Sequence, residues 1–215
     1  MSTPNVDIQL VCFDLGGVLI RIARNWRDVL DRMGIDAAAV GATEQTWADH
    51  RLVQRRFETG QIAQDQYFSE AAAHFRGIST DQFIEAFDSW HDGLFPNIDN
   101  LLTRLAGRSV PMACLSNTNS RHWDCCMGDD PRYEHLQLLD YRFASHLIGC
   151  MKPADPIYAH VEQQVDIKPE SILFFDDYAP NIEAAESRGW QARQIDPSND
   201  PAAQITGHLQ QCNIL

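Results

Sequence analysis

Val11-Cys12-Phe13-Asp14-Leu15-Gly16-Gly17-Val18-Leu19 is the stretch whose reading decides the fold. An apolar run leads into a carboxylate and a glycine pair, the pattern of a strand buried on both faces that ends in a turn. A buried Asp demands charge partners, and in open α/β sheets ligands gather beyond the carboxyl ends of the strands. Asp14 is therefore the first candidate functional residue. The competing reading of this stretch by itself is an Asp that caps a loop before a Gly-rich turn.

Downstream of Pro96, strands and helices alternate. Ser109–Leu115 is a second buried strand ending at Ser116-Asn117-Thr118-Asn119, and Tyr141–Ile148 alternates like a third. Ser171–Phe175 is a continuous apolar fourth that ends in Asp176-Asp177. A helix follows, with Pro180 in its first turn and Gly189 just past its end. Trp190–Ile195 is a weaker fifth strand, and the tail is expected to form a short helix at best.

Between the first two strands the periodicity is helical. Trp26, Val29, Leu30 and Met33 follow helix spacing up to Gly34; Trp47, Val53 and Phe57 mark a second helix ending near Gly60. Tyr67, Phe68, Ala71, Ala72 and Phe75 mark a third, and Ser79-Thr80-Asp81-Gln82 is a capping box opening a fourth. The expected class is α/β: a Rossmann-like parallel sheet with helices on both faces, over 1–20 and 96–215, interrupted by a small all-helical unit at 21–95. Eight of the fifteen arginines fall within that unit, chiefly as solvated helix faces.

The formal charge of −13 opposes binding to nucleic acid or to anionic membranes, so an anionic substrate must meet a local positive site. No stretch approaches the roughly 18 apolar residues of a membrane span. Met1–Asn5 lacks the basic and apolar regions of a signal peptide, and a cytoplasmic location is expected. Cys12 and Cys114 lie in apolar runs, where a reduced thiol acts as a small hydrophobe. His122, Cys125, Cys126 and His135 fit no standard zinc-ligand spacing.

Three buried strands thus end in Asp14, Ser116-Asn117 and Asp176-Asp177. In a parallel sheet those ends meet at one edge. Three carboxylates gathered there repel one another unless a cation sits among them, and an all-oxygen set suits Mg²⁺. Lys152, one of only two lysines in the chain, stands in the Gly149–Pro153 loop, where a compact ammonium can pair with both a carboxylate and a phosphate oxygen. Lys168, before Pro169, is placed at the surface.

These motifs resemble those of the haloacid dehalogenase-like hydrolases. Phe13–Leu19 resembles the first family motif, Leu115-Ser116-Asn117 the second, Lys152-Pro153 the third and Phe174–Asp177 the fourth, in the family's order, with the helical unit where its cap domain lies. Details around 13–16, 115–119 and 174–183 are similar to the branch containing a bacterial α-D-glucose-1-phosphate phosphatase. The resemblance implies a small phosphate ester as substrate, with a sugar phosphate expected. It implies Asp14 as the nucleophile that forms an aspartyl-phosphate, and Mg²⁺ held by Asp14, the Gly16 carbonyl, Asp176 and Asp177. Ser116 and the Asn117 amide would hold the phosphoryl group, Lys152 would offset repulsion between nucleophile and phosphate, and Asn181 would orient water at the ion.

One departure stands out. Where family phosphatases carry an acid-base Asp two residues after the nucleophile, this chain has Gly16, and such help is worth about 10²–10⁴-fold in rate. His122 is a candidate substitute or substrate contact. Two alternatives remain: a 2-haloacid dehalogenase, which also lacks that Asp but leaves Asp176-Asp177 without a purpose, and a catalytically weak phosphometabolite-binding protein. Oligomeric state is left open.

Overall fold

The computed structural model describes residues 7–215; Met1–Asn5, in which no leader is expected, lies outside the described residues. The alternation in Leu10-Val11-Cys12-Phe13 builds the centre of the molecule. Val11 and Phe13 point into one core, Leu10 and Cys12 into another on the opposite face of the sheet, and all four are fully buried.

In chain order the elements are β1 (Leu10–Phe13), β2 (Ile20–Ile22), α1 (Trp26–Arg32), α2 (Glu44–Glu58), α3 (Gln64–Ala72), α4 (Thr80–Asp88), β3 (His91–Leu94), α5 (Ile98–Ala106), β4 (Met112–Ser116) and α6 (Ser120–Met127). A 3₁₀ segment at Pro131–Leu138 leads to β5 (Tyr141–Ala144), α7 (Ser145–Ile148), α8 (Asp155–Val165), β6 (Ile172–Asp176), α9 (Ala179–Ser187), β7 (Gln191–Gln194) and α10 (Pro201–Gln211). Five strands form one parallel sheet in the order β5-β4-β1-β6-β7. Leu101, Leu102 and Leu105 of α5 and Ile205 and Leu209 of α10 cover one face; Ile157, Tyr158 and Val161 of α8 and Ile182 and Ala185 of α9 cover the other. The expected doubly covered α/β sheet is what forms. Each fully buried Leu, Ile or Phe in it contributes about 1.5–3 kcal/mol by leaving water.

Helices α1–α4 close around a separate cluster that includes Leu30, Phe57, Tyr67, Phe68, Phe83 and Phe87. The Ser79 capping box forms as read, with Ser79 and Gln82 satisfying each other's backbone N–H groups.

Two local expectations are corrected. The alternation over Tyr141–Ile148 yields a strand only to Ala144; Ser145 then starts a helical turn that Gly149 ends with a φ of +86°. The tail carries an eleven-residue helix, started by Asp200, whose carboxylate accepts the Ala203 N–H, and by Pro201 at its first position. An antiparallel pair, β2-β3, brackets the helical unit, and residues 20 and 21 both lie in β2.

Candidate active site

Strand β1 has β4 on one side and β6 on the other, so the chain's order reverses at its carboxyl end, where open α/β sheets bind ligands. Asp14 is the first residue past β1. Its N–H donates to the Phe175 carbonyl at 2.8 Å, and its own Oδ1 accepts the Leu15 N–H at 2.7 Å, which turns the chain. Gly17 is demanded twice over: its φ is +76°, and a Cβ there would lie 2.3 Å from Asp177 Oδ2.

Lys152 reaches this edge from the loop before α8. Its ammonium is fully buried, 2.7 Å from Asp176 Oδ2 and 3.0 Å from Asp14 Oδ1. Burial opposes its charge, yet the two carboxylates outweigh burial and hold its pKa above the ordinary lysine value. Asp176 is the closer of the two. It also accepts the Tyr178 N–H at 2.9 Å and the Asn181 amide at 3.0 Å on each oxygen. The side-chain NH₂ of Asn181 orients Asp176, and its side-chain Oδ1 is buried without a partner among the described residues.

Asp14, Asp176 and Asp177 offer carboxylate oxygens that all lie within 4.8 Å of one another. Burial pushes the Asp14 carboxyl up to about 7, with Lys152 pulling it down and the neighbouring carboxylates adding to the rise. Asp177 is also raised, by burial first and then by Asp176. One ammonium against three acids leaves the cluster short of positive charge, and its donors are all oxygen. That set fits a hard divalent ion such as Mg²⁺.

Ser116, at the end of β4, is buried, as is Thr118 two residues on. Asn117 turns its side chain to Lys152, accepting the lysine's backbone N–H at 2.8 Å and donating to its carbonyl at 2.9 Å. Only the backbone N–H of Asn117 is left for the phosphoryl contact expected of it. Ser116, Asn117, Leu15 and Gly16 line an inner cavity of 210 Å³.

His122 lies on the same cavity, but its ring is packed between other groups. Nε2 is 3.0 Å from the Phe87 carbonyl, Nδ1 is 3.3 Å from the Asn119 amide, and the ring stacks on Phe87 at 4.1 Å. Burial lowers its pKa to about 4. A neutral imidazole with both nitrogens engaged is poorly placed to donate a proton, which counts against the acid role considered for it. Of the two cysteines near it in sequence, Cys126 pairs with His91 at 3.4 Å and Cys125 with Asp130 at 3.6 Å.

A larger outer cavity of 1090 Å³ opens beside Lys152, between the helical unit and the sheet edge. Trp26, Trp47, Trp90 and Met151 form its apolar wall, and Arg27, Arg51 and Arg55 stand on it. Those three are among the eight arginines read as solvated faces; by contrast Arg56 pairs with Glu70, at 2.7 Å. Glu58 borders both cavities and is not among the candidates drawn from sequence. A signal was available: an acid at a helix C-terminus opposes the helix dipole, so Glu58 at the last position of α2 is locally unfavourable.

A family model described as haloacid dehalogenase-like hydrolase matches residues 8–189. The sesquiterpene phosphatase astK of Aspergillus oryzae is 27% identical over 180 residues, covering 82% of this chain and 84% of that protein. A solved structure described as a predicted HAD-like family hydrolase from Porphyromonas gingivalis is 25% identical, with a TM-score of 0.79 over 94% of this chain and 98% of that one. A HAD family enzyme from Bacteroides thetaiotaomicron, solved in complex with magnesium and inorganic phosphate, is 22% identical, with a TM-score of 0.76 over 90% of this chain and 96% of that one.

Proposed function

The chain belongs to the haloacid dehalogenase-like hydrolases, and from that premise we propose that it hydrolyses phosphate monoesters with Mg²⁺, through an aspartyl-phosphate on Asp14. The observation that carries this reading is the buried Lys152 ammonium held between Asp14 and Asp176, with Asp177 alongside. A nucleophilic carboxylate and a phosphate dianion repel each other, and the ammonium lowers that barrier where water is excluded. Ser116 and the Asn117 N–H hold the phosphoryl oxygens. Asp14, Asp177, the Gly16 carbonyl and Asp176 would hold the ion, which when bound supplies charge neutralisation at the phosphoryl group. Residues 21–95 act as a cap over the edge formed by 1–20 and 96–215.

For the substrate, the wall of Trp26, Trp47, Trp90 and Met151 supports a phosphate ester with a bulky apolar body. The likeness to a sesquiterpene phosphatase agrees with that chemistry. A sugar phosphate is the second reading, supported by Asn25, Glu44 and Gln54 on the same cavity. The test is phosphate release from farnesyl monophosphate and from α-D-glucose 1-phosphate, each with Mg²⁺ and with EDTA. Preference for the prenyl ester supports the first reading and preference for the sugar the second. Mg-independent dechlorination of a 2-chloro acid, with no phosphate release, would overturn both.

A further inference from the structure

We propose that Glu58, on cap helix α2, is the general acid and base that position 16 lacks; this rests on the phosphatase reading above. Position 16 has no side chain, and the Ile22 side chain crowds the space a side chain there would enter. A Cβ on Gly16 would lie 3.1 Å from Ile22 Cδ1 and 3.4 Å from Ile22 Cγ2, so β2 stands against the place where an acid would begin. With Gly at 16, a proton donor and acceptor has to come from elsewhere around the cleft.

Glu58 stands on the wall shared by the two spaces that meet the catalytic edge. The inner one holds Gly16, Ser116 and Asn117, and the outer one holds Lys152. A leaving oxygen on a phosphoryl group seated at Ser116, with its alcohol body in the outer cavity, passes from one space to the other along this wall. The end of α2 is tied to the catalytic edge. Ser145 Oγ lies 2.6 Å from the Glu58 carbonyl oxygen and accepts the Thr118 N–H at 2.9 Å, two residues after Ser116. Gly60 packs so closely on His146 that a Cβ would come within 2.3 Å of the His146 carbonyl oxygen. The Glu58 side chain accepts one hydrogen bond from Gln54, at 2.7 Å, and no Lys or Arg pairs with it among the described residues. Burial pushes its carboxyl up to about 7, against the pull of Gln54, so both protonation states are accessible near neutral pH.

The two half-reactions then balance. Asp14 attacks phosphorus, the bond from phosphorus to the leaving oxygen breaks, and that oxygen keeps the electron pair and takes the Glu58 proton to become an alcohol. Glu58, now a carboxylate, removes a proton from water as the water oxygen attacks phosphorus. The bond to Asp14 breaks with its electron pair returning to the carboxylate, releasing inorganic phosphate and regenerating protonated Glu58.

The test is Glu58→Gln in the full chain, which keeps the side-chain shape and an oxygen for Gln54. Wild type and variant are compared on p-nitrophenyl phosphate, whose leaving group needs no proton, and on an unactivated alkyl phosphate. The variant is expected to lose about 10²–10⁴-fold on the alkyl ester. On the aryl ester it should give one rapid equivalent of p-nitrophenol followed by slow turnover, with the phosphoryl group trapped on Asp14 by acid quench and mass analysis. Equal rates for both proteins on both esters, or equal losses on both without a burst, would overturn the assignment while leaving the phosphatase reading intact. A wild-type protein that releases no phosphate from any ester would remove both.

Discussion

Asn117 and Lys152 clasp each other across 35 residues of chain, the Asn117 amide donating to the Lys152 carbonyl at 2.9 Å and its oxygen accepting the Lys152 N–H at 2.8 Å. The end of β4 thereby sets the height of the loop that delivers the ammonium. Asn117→Ala removes both bonds, each worth about 0.5–1.5 kcal/mol. A misplacement of about 1 Å at a reacting centre can cost roughly 10²-fold. We expect kcat/KM on p-nitrophenyl phosphate to fall by about that factor, with only a modest loss in urea stability. Unchanged kinetics would show that the clasp does not position Lys152.

Lys152 is a stability element as well as a proposed catalytic one. Removing one partner of a buried ion pair costs about 3–5 kcal/mol because the other charge is left uncompensated, and here two carboxylates would be left. Lys152→Met should therefore lower the urea midpoint by an amount of that order and abolish turnover. Adding Asp176→Asn should recover part of the stability and none of the activity. A double variant no more stable than the single one would mean that the cost lies in packing.

Asp14→Asn keeps the shape of the side chain and the oxygen that accepts the Leu15 N–H. The fold should survive, as judged by an unchanged far-UV spectrum and cooperative unfolding. Phosphate release and acid-stable labelling of the protein should both disappear. Turnover retained in this variant would take Asp14 out of the chemistry.

Much of this arrangement is legible in the sequence because the acids sit where buried apolar runs stop. Once Val11–Phe13, Met112–Leu115 and Ile172–Phe175 are read as neighbouring parallel strands, Asp14, Ser116 and Asp176 must share an edge. What escapes the reading depends on contacts distant in sequence. Strands β2 and β3 are only three and four residues long and pair across the whole helical unit, so neither carries a periodicity of its own. The strand over Tyr141–Ile148 is cut short by Ser145, whose hydroxyl meets Thr118 and Glu58, partners that no local pattern announces. Which face of α2 looks at the catalytic edge is decided by the same contact, and so Glu58 goes unnoticed while its arginine neighbours draw attention.

The buried histidines should each oppose folding as they are forced to take up a proton in acid. Burial, with His74 and Arg51 adding, lowers His50 to about 4; burial, with His122 and Arg132 adding, lowers His91 to about 2; His122 is at about 4, chiefly from burial. His50 bonds Tyr67 at 3.0 Å, and the His91 and His122 rings lie 4.2 Å apart where the helical unit meets the sheet domain. These folded-state values lie below the unfolded value of about 6.5, so the unfolded chain binds more protons in the window between them. The histidines' contribution to stability is then full above about pH 6.5 and falls as the pH drops toward 4, with a slope of up to about 1.4 kcal/mol per pH unit for each, while the raised carboxyls of Asp14 and Glu58 work in the opposite direction. His50→Gln retains a partner for the Tyr67 hydroxyl and cannot titrate. Between pH 7 and 4.5 the urea stability of the wild type should fall relative to that of the variant, by about one proton's worth of slope. Parallel pH profiles in the two proteins would show that the protonation of His50 does not bear on stability.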